Sequence, residues 1–347
     1  MAIPLSQARN LFTDKIIAVF DDRKPAPTFL RGLFKNTQSP TKYISTEVRR
    51  NSEWIATDIA RGASANIGQR EKSSVKTYLP PLFGQEVVIS DLELYDRVIG
   101  AQDYSNASVV GALVNSINDE LDNQKDGIER AKEKLAADAL VTGIVTLSNG
   151  DSIDFKRKSG SLVDASSHTW ATQTNDPLDD IAAGCAFIRK TGKSGAFSFD
   201  VIMGASAVAA FLSNEKFQKK QDILRFNNGL VSRGTPTGGA VPLGTINAGA
   251  YEVNLWTYPQ YYDVNGTSTP YIDDKKIVIV PVGVNFHFAH AQVPQLLGAN
   301  GEIPVAKEYS IFEKRDEYNG VHRMKVCSAG VPILTAVDQV YTAKVLV

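Results

Sequence analysis

Gly204-Ala205-Ser206-Ala207 falls where a strand pattern, Phe197 to Met203, gives way to a helix pattern, Ala205 to Leu212, the setting in which a nucleophilic serine sits on a sharp turn. The motif's second glycine is missing and no glycine-rich segment offers an oxyanion hole, so Ser206 reads better as a helix cap. A cytoplasmic serine hydrolase pairing Ser206 with His287, His290 or His322 is the alternative reading. Gly192-Lys193-Ser194 ends like a phosphate-binding loop, yet the required earlier glycine is Phe187 and the approach is a helix, so no run of amides could cradle phosphates. His287 and His290 stand three apart in a Phe-rich run without further ligands at diagnostic spacing, which favours a structural role over a metal site, and His168 adds no constellation. The acid pairs Asp179-Asp180 and Asp273-Asp274 occupy a first helical turn and a pre-strand turn, where carboxylates have structural uses. No catalytic residue, metal or cofactor is assigned.

The chain of 347 residues carries 37 Lys and Arg against 38 Asp and Glu, a formal charge of −1. Such balance argues against a dedicated nucleic-acid binder, which needs clustered basic surface for counterion release. No apolar run approaches the ~18 residues of a membrane span. Cys185 and Cys327 both lie in apolar patterns without partner spacing and read as buried free thiols of a reducing compartment.

The elements that would position these residues begin with a long helix. From about Asn106 to Val141, Val110, Leu113, Val114, Ile117, Leu121, Ile128, Ala131 and Leu135 recur at spacings of three, four and seven, one stripe of a helix roughly 50 Å long. Asp126-Gly127 could break it, but the stripe keeps phase across the pair, so a continuous or slightly bent helix is expected. Ile144 to Leu147 and Ser152 to Phe155 then flank Asn149-Gly150, a type I′ hairpin signal. A polar connection, Ser159 to Asn175, leads to a second helix capped by Asp176, opened by Pro177, striped by Leu178, Ile181, Cys185 and Ile188, and ended at Gly192. Asn227 to Ala250, with six glycines, reads as a mobile loop; strands follow near Tyr251 to Tyr258, Lys276 to Val282, Val321 to Ser328 and Val340 to Val347. Before the long helix, short apolar snatches in residues 1–40 look like an arm, and strands at Lys42 to Val48 and Ser74 to Leu79 form a hairpin with few core residues.

This order of elements resembles the lambda-type major capsid proteins of tailed bacteriophages, which have the α+β Hong Kong 97-type fold. The resemblance rests on Asp122 to Phe155, Asp176 to Phe211, Tyr251 to Gly283, and the closing VPILTAVDQVYTAKVLV from Val331, with its apolar-proline turn, acid and last strand. It implies an N-terminal arm (1–40), an extended loop (41–88), a peripheral domain (89–175) with spine helix 106–141 and hairpin 144–155, an axial domain (176–300), and a β-rich return (301–347). It also implies self-assembly into pentamers and hexamers of an icosahedral shell, with scaffolding, portal and decoration proteins as partners. The shell would be assembled in the bacterial host cytoplasm and become part of the virion, enclosing double-stranded DNA without specific binding and without a membrane.

The extended loop also has an energetic reading. Between Arg49 and Lys76 six basic residues (Arg49, Arg50, Arg61, Arg70, Lys72, Lys76) face three acidic ones (Glu53, Asp58, Glu71), with Trp54 and Ile55 as the bulky apolar neighbours. That composition buries too little surface to offset the entropy of ordering, so Arg49, Arg50, Trp54, Arg61, Arg70, Lys72 and Lys76 are the candidate inter-subunit contacts. Some relatives join a loop lysine to an asparagine covalently; with no asparagine or glutamate to place beside Lys72 or Lys76, a non-covalent shell is expected.

Overall fold

The computed structural model describes residues 25–50, 72–90, 106–146, 152–164, 168–224, 236–264, 266–293, 307–316, 318 and 321–347. Trp54, Arg61, Arg70, the tip of the 144–155 hairpin and residues 227–235 lie outside this set, as do the side chains of Arg49, Arg50, Lys72, Lys76 and His322.

The chain starts with a short helix α1 (Phe29–Gly32) and strand β1 (Phe34–Gln38), followed by β2 (Ile44–Arg50), β3 (Lys72–Tyr78) and β4 (Leu82–Ser90). The long helix α2 (Asn106–Val141) is a single element of 36 residues. Gly127 does not break it: the position faces the Gln85 side chain of β4, where a Cβ would lie 2.8 Å from Oε1. The helix ends at Gly143 (φ +73°), whose N–H reaches the carbonyl of Ala139 at 3.1 Å, a left-handed stop that favours glycine. A hairpin of β5 (Ile144–Thr146) and β6 (Ser152–Asp154) follows, then β7 (Leu162–Asp164) and helix α3 (Pro177–Lys190). Asp176 caps α3 as expected, its carboxylate accepting from Leu178 N at 3.0 Å. Next come β8 (Ser198–Met203), α4 (Ala205–Ser213), α5 (Glu215–Leu224), β9 (Val241–Ala248), β10 (Tyr251–Thr257), β11 (Tyr261–Val264), β12 (Thr267–Pro270), β13 (Lys276–Pro281), β14 (Phe286–His290), β15 (Ser310–Asp316), β16 (Val321–Ile333) and β17 (Tyr341–Lys344).

Two sheets organise the core. A six-stranded sheet runs β7-β17-β13-β8-β10-β9, and a five-stranded one runs β1-β14-β16-β15 with β4 also on β16. Strand β13 is buried on both faces from Ile277 to Pro281, which is why it reads as a continuous run, whereas β8 sets Ser198 and Asp200 on the face of Ile202. Phe199, Val201, Met203, Ile277 and Ile279 pack with Leu178, Ile181, Cys185 and Ile188 of α3 in one cluster. Ile202, Val278 and Val280 point the other way, into a cluster with Leu135, Ala136, Ala139 and Leu140 of α2 and Phe286 and Phe288 of β14. Cys185 and Cys327 are free and buried.

Several expectations are corrected. The glycine-rich 227–250 stretch is not all loop: Val241–Ala248 is a strand antiparallel to β10. The 159–175 connection holds β7, parallel to β17, and the fully buried Trp170. Val331-Pro332-Ile333 is no turn but the end of β16, paired with β14. Within the 1–40 segment, Leu30 and Phe34 belong to the core cluster. Gly192 is selected by crowding, with its would-be Cβ 2.4 Å from the Asp338 carbonyl oxygen, while Lys193 takes the left-handed backbone (φ 51°).

Candidate functional site: a buried charged junction on the long helix

Where α2 meets α1 and β14, the stripe read from sequence is partly replaced by charge. Ala131 is only half-buried, whereas Lys132 and Glu133 are fully enclosed. Buried charges persist only when paired, and here the pairs come from distant segments. Lys132 Nζ lies 3.0 Å from Glu129, 3.6 Å from Glu308 and 4.1 Å from the centre of the Tyr309 ring. Arg31 of α1 bridges Glu129 at 3.4 Å and Glu308, and its guanidinium covers Phe288 at 5.3 Å. The Tyr309 hydroxyl donates to Glu129. Burial pushes Glu129 up, but Lys132, Tyr309 and Arg31 outweigh it and hold the carboxyl below its ordinary value. Burial also pulls Lys132 down, against the support of Glu129.

His290 of β14 completes the junction. It is 1% exposed, and neither ring nitrogen has a hydrogen-bond partner among the described residues. Burial, then the Lys132 charge, press its pKa down to about 4, so the ring is neutral at ordinary pH. Gly330 makes room for it: a Cβ there would sit 2.6 Å from Phe288 Cε1 and 3.1 Å from His290 Nδ1. The junction therefore joins α1, α2, β14 and residues 308–309 by charge and packing, and holds no arrangement of nucleophile and base.

A second polar joint ties the end of α2 to the last strand. Arg157 donates to the carbonyls of Leu140 (2.7 Å), Ser161 (3.0 Å) and Val340 (2.8 Å) and to Thr342 Oγ1 (3.2 Å). Burial lowers its pKa to about 10, leaving it cationic at neutral pH and well suited to a helix C-terminus.

The residues singled out for catalysis are not brought together. Ser206 is exposed at the second position of α4, and the helix is capped by Gly204 without a side-chain cap, so the capping role read for Ser206 is incorrect. His287 and His290 belong to β14 in the other sheet. Among the described residues no cluster of His, Cys, Asp and Glu could hold a metal ion. Asp180 accepts from Trp170 Nε1 at 2.8 Å and lies 3.3 Å from His168, and Asp273 accepts from Lys275 N at 3.0 Å, both structural uses. Of the loop candidates, the backbones of Arg49, Arg50, Lys72 and Lys76 lie on β2 and β3, which pair Arg50 with Lys72 and Thr46 with Lys76. The junction itself was missed because the sequence reading followed the apolar stripe and gave Glu129, Lys132 and Glu133 no role; Lys132 at four residues from Ile128 was the available signal.

Solved structures share this architecture, two of them phage capsid proteins. A prophage capsid protein from E. coli CFT073 superposes with a TM-score of 0.66 at 16% identity, over 99% of each chain. The mature capsid of bacteriophage PhiM1 gives 0.54 at 12% identity, over 94% of this chain and 90% of that one. The fold is thus the mixed α+β fold of Hong Kong 97-like phage capsid proteins. A search of curated protein sequences finds no match. The family model for phage major capsid protein E matches residues 12–345, and the chain belongs to that family. It is a structural family, and neither the family nor the geometry supports the serine hydrolase reading.

Proposed function

We propose that this chain builds the head of a tailed phage or prophage, assembling as pentamers and hexamers into an icosahedral shell around double-stranded DNA. In this reading 1–40 is the arm, 41–88 the extended loop, 89–175 with the return 301–347 the peripheral domain, and 176–300 the axial domain. The observation that carries it is the β2–β3 hairpin. Its strands pair over seven residues with each other and with no third strand among those described. Two strands alone are marginal in water, so the hairpin gains stability from a neighbouring subunit. Scaffolding, portal and decoration proteins are the partners this function would require.

Assembly tests the reading. Expressed with its scaffold, the protein should form closed shells by electron microscopy; a small discrete oligomer under all conditions would refute it. Trypsin should cut free subunits first near Arg61 and Arg70, between the paired strands, while assembled shells resist. Equal cleavage rates in free and assembled protein would remove the hairpin's role as an inter-subunit clasp.

A further inference from the structure

Glu133 is the one member of the charged junction whose carboxylate pairs with no cation among the described residues, since the ion pairs there engage Glu129 and Glu308. Its side chain is 0% exposed, and its hydrogen bonds come from other elements. Oε1 accepts from Leu30 N at 2.8 Å and from the Tyr258 hydroxyl at 2.5 Å, and Oε2 accepts from Arg31 N at 2.9 Å. A buried acid of α2 thereby holds the first turn of α1, whose N-cap Thr28 provides no side-chain cap. The titratable groups around it are Glu129 on its own helix, Arg31 on α1, and Tyr258 and Tyr271 from the segments after β10 and β12. Lys132, Glu308, Tyr309 and His290 lie in the same junction, linked through Arg31 and Glu129.

We propose that Glu133 is a proton-linked latch: protonated, it keeps residues 28–31 docked on the long helix, and its ionisation loosens them. In the neutral form both backbone N–H groups keep an oxygen and no charge is buried, while the acid proton and the Tyr258 hydroxyl hydrogen compete for one contact. Ionisation leaves a full negative charge enclosed with dipoles as its only compensation. Burial raises the pKa from 4.5 to about 7 even though Tyr258, Arg31 N and Leu30 N favour the anion. When α1 lifts away, Glu133 meets water and returns toward 4.5. The latch is therefore fully effective below about 4.5 and is lost as pH rises through about 7. The other holds on this segment are the Arg31 ion pairs to Glu129, whose carboxyl is held below its ordinary value, and to Glu308, the Thr28 N and Phe29 N bonds to the Gly238 carbonyl at 3.0 and 3.1 Å, and the Phe29 ring packed at a tilt on Trp256 at 5.1 Å. Strand β1 stays parallel to β14, so the loosened piece is α1 and its entry.

Hydrogen–deuterium exchange on the full chain tests this, with rates corrected for the intrinsic dependence of exchange on pH. Between pH 6 and 8, protection of residues 28–33 should fall about tenfold while residues 276–281 of β13 stay unchanged. His290, held near 4, is neutral across this range and adds no dependence of its own. Glu133→Gln should flatten the dependence. Should that variant fail to fold, Tyr258→Phe, which removes one donor from the anion, should move the midpoint to higher pH. A change below twofold in the wild-type protein, an undiminished slope in Glu133→Gln, or an equal loss of protection in β13 would each overturn the latch.

Discussion

Arg157→Met tests whether the end of the long helix is bound to the last strand by one guanidinium. In the native fold that group serves the carbonyls of Leu140, Ser161 and Val340 together with Thr342 Oγ1. Leu140 keeps a second donor after the substitution, because Thr342 Oγ1 also reaches its carbonyl at 3.1 Å. Ser161 and Val340, both fully buried residues, lose the donor to their carbonyls. Each orphaned buried carbonyl costs about 1–3 kcal/mol, partly offset by no longer desolvating a cation, so a net loss of about 2–4 kcal/mol is expected. Arg157→Lys should fall between, because an ammonium cannot span the fork of acceptors. The neighbouring turn supplies a control for geometry. A Cβ on Gly143 would meet Arg157 Cδ at 2.4 Å, at a backbone φ of +73°. Gly143→Ala should therefore destabilise through both strain and clash, and the Gly143→Ala/Arg157→Met pair by less than the sum, since Met can yield the space. Urea unfolding of unassembled subunits, followed through the buried Trp170, gives the comparison. An Arg157→Met protein within about 0.5 kcal/mol of wild type, or strict additivity of the pair, would refute the argument.

Two further outcomes are expected. Asn214, fully buried, donates to the carbonyls of Trp170 (3.3 Å) and Asn175 (3.1 Å) while its Oδ1 caps α5 at Lys216 N (3.0 Å), so Asn214→Ala should lower stability by about 2–3 kcal/mol in the same urea assay. Folding holds His290 neutral, so its contribution is present above pH 6.5 and is lost as pH falls through about 4; His290→Leu should flatten the acid limb of a stability profile between those values, and an unchanged limb would show that other groups set it.

The legible parts of this fold are those whose causes are local. The long helix announces itself through spacing, and α3 through Asp176, Pro177 and its stripe, because caps and amphipathic faces are written within a few residues of where they act. What was misread depends on neighbours far along the chain. Strand β9 carries Gly244 at φ +138° beside a register shift at Leu255/Trp256, a bulge that composition alone cannot tell from a loop. Pro332 looked like a turn because proline lacks an N–H. Yet Ala291 N bonds the Ala329 carbonyl, and alternation then puts Phe288 and Pro332 in a non-hydrogen-bonded pair, with the proline nitrogen facing away from β14. The strands flanking the rest of β16, β4 and β15, stop at Ala329 and Cys327, so neither reaches Pro332 and no ladder bond is missed.

The charged junction was hidden for a related reason. Glu129, Lys132 and Glu133 on a helix ordinarily mark water, and only the arrival of Arg31, Tyr258, Glu308 and Tyr309 from over a hundred residues away makes them interior. These contacts do more than satisfy buried charge. Through Ile202, Val278 and Val280 the six-stranded sheet packs against the long helix on one face, and through Val201 and Ile279 against α3 on the other, so the two clusters share strands. With close-packed residues on both faces of β8 and β13, α2 and α3 are joined through shared strands and not through a linker. The β2–β3 hairpin stands outside that coupling, touching the core through Ile44 and the Tyr78 ring near Phe155. In the proposed shell such a subunit would keep its body stiff and leave the hairpin to be ordered by a neighbour, the division of labour that one sequence in two symmetry environments would demand.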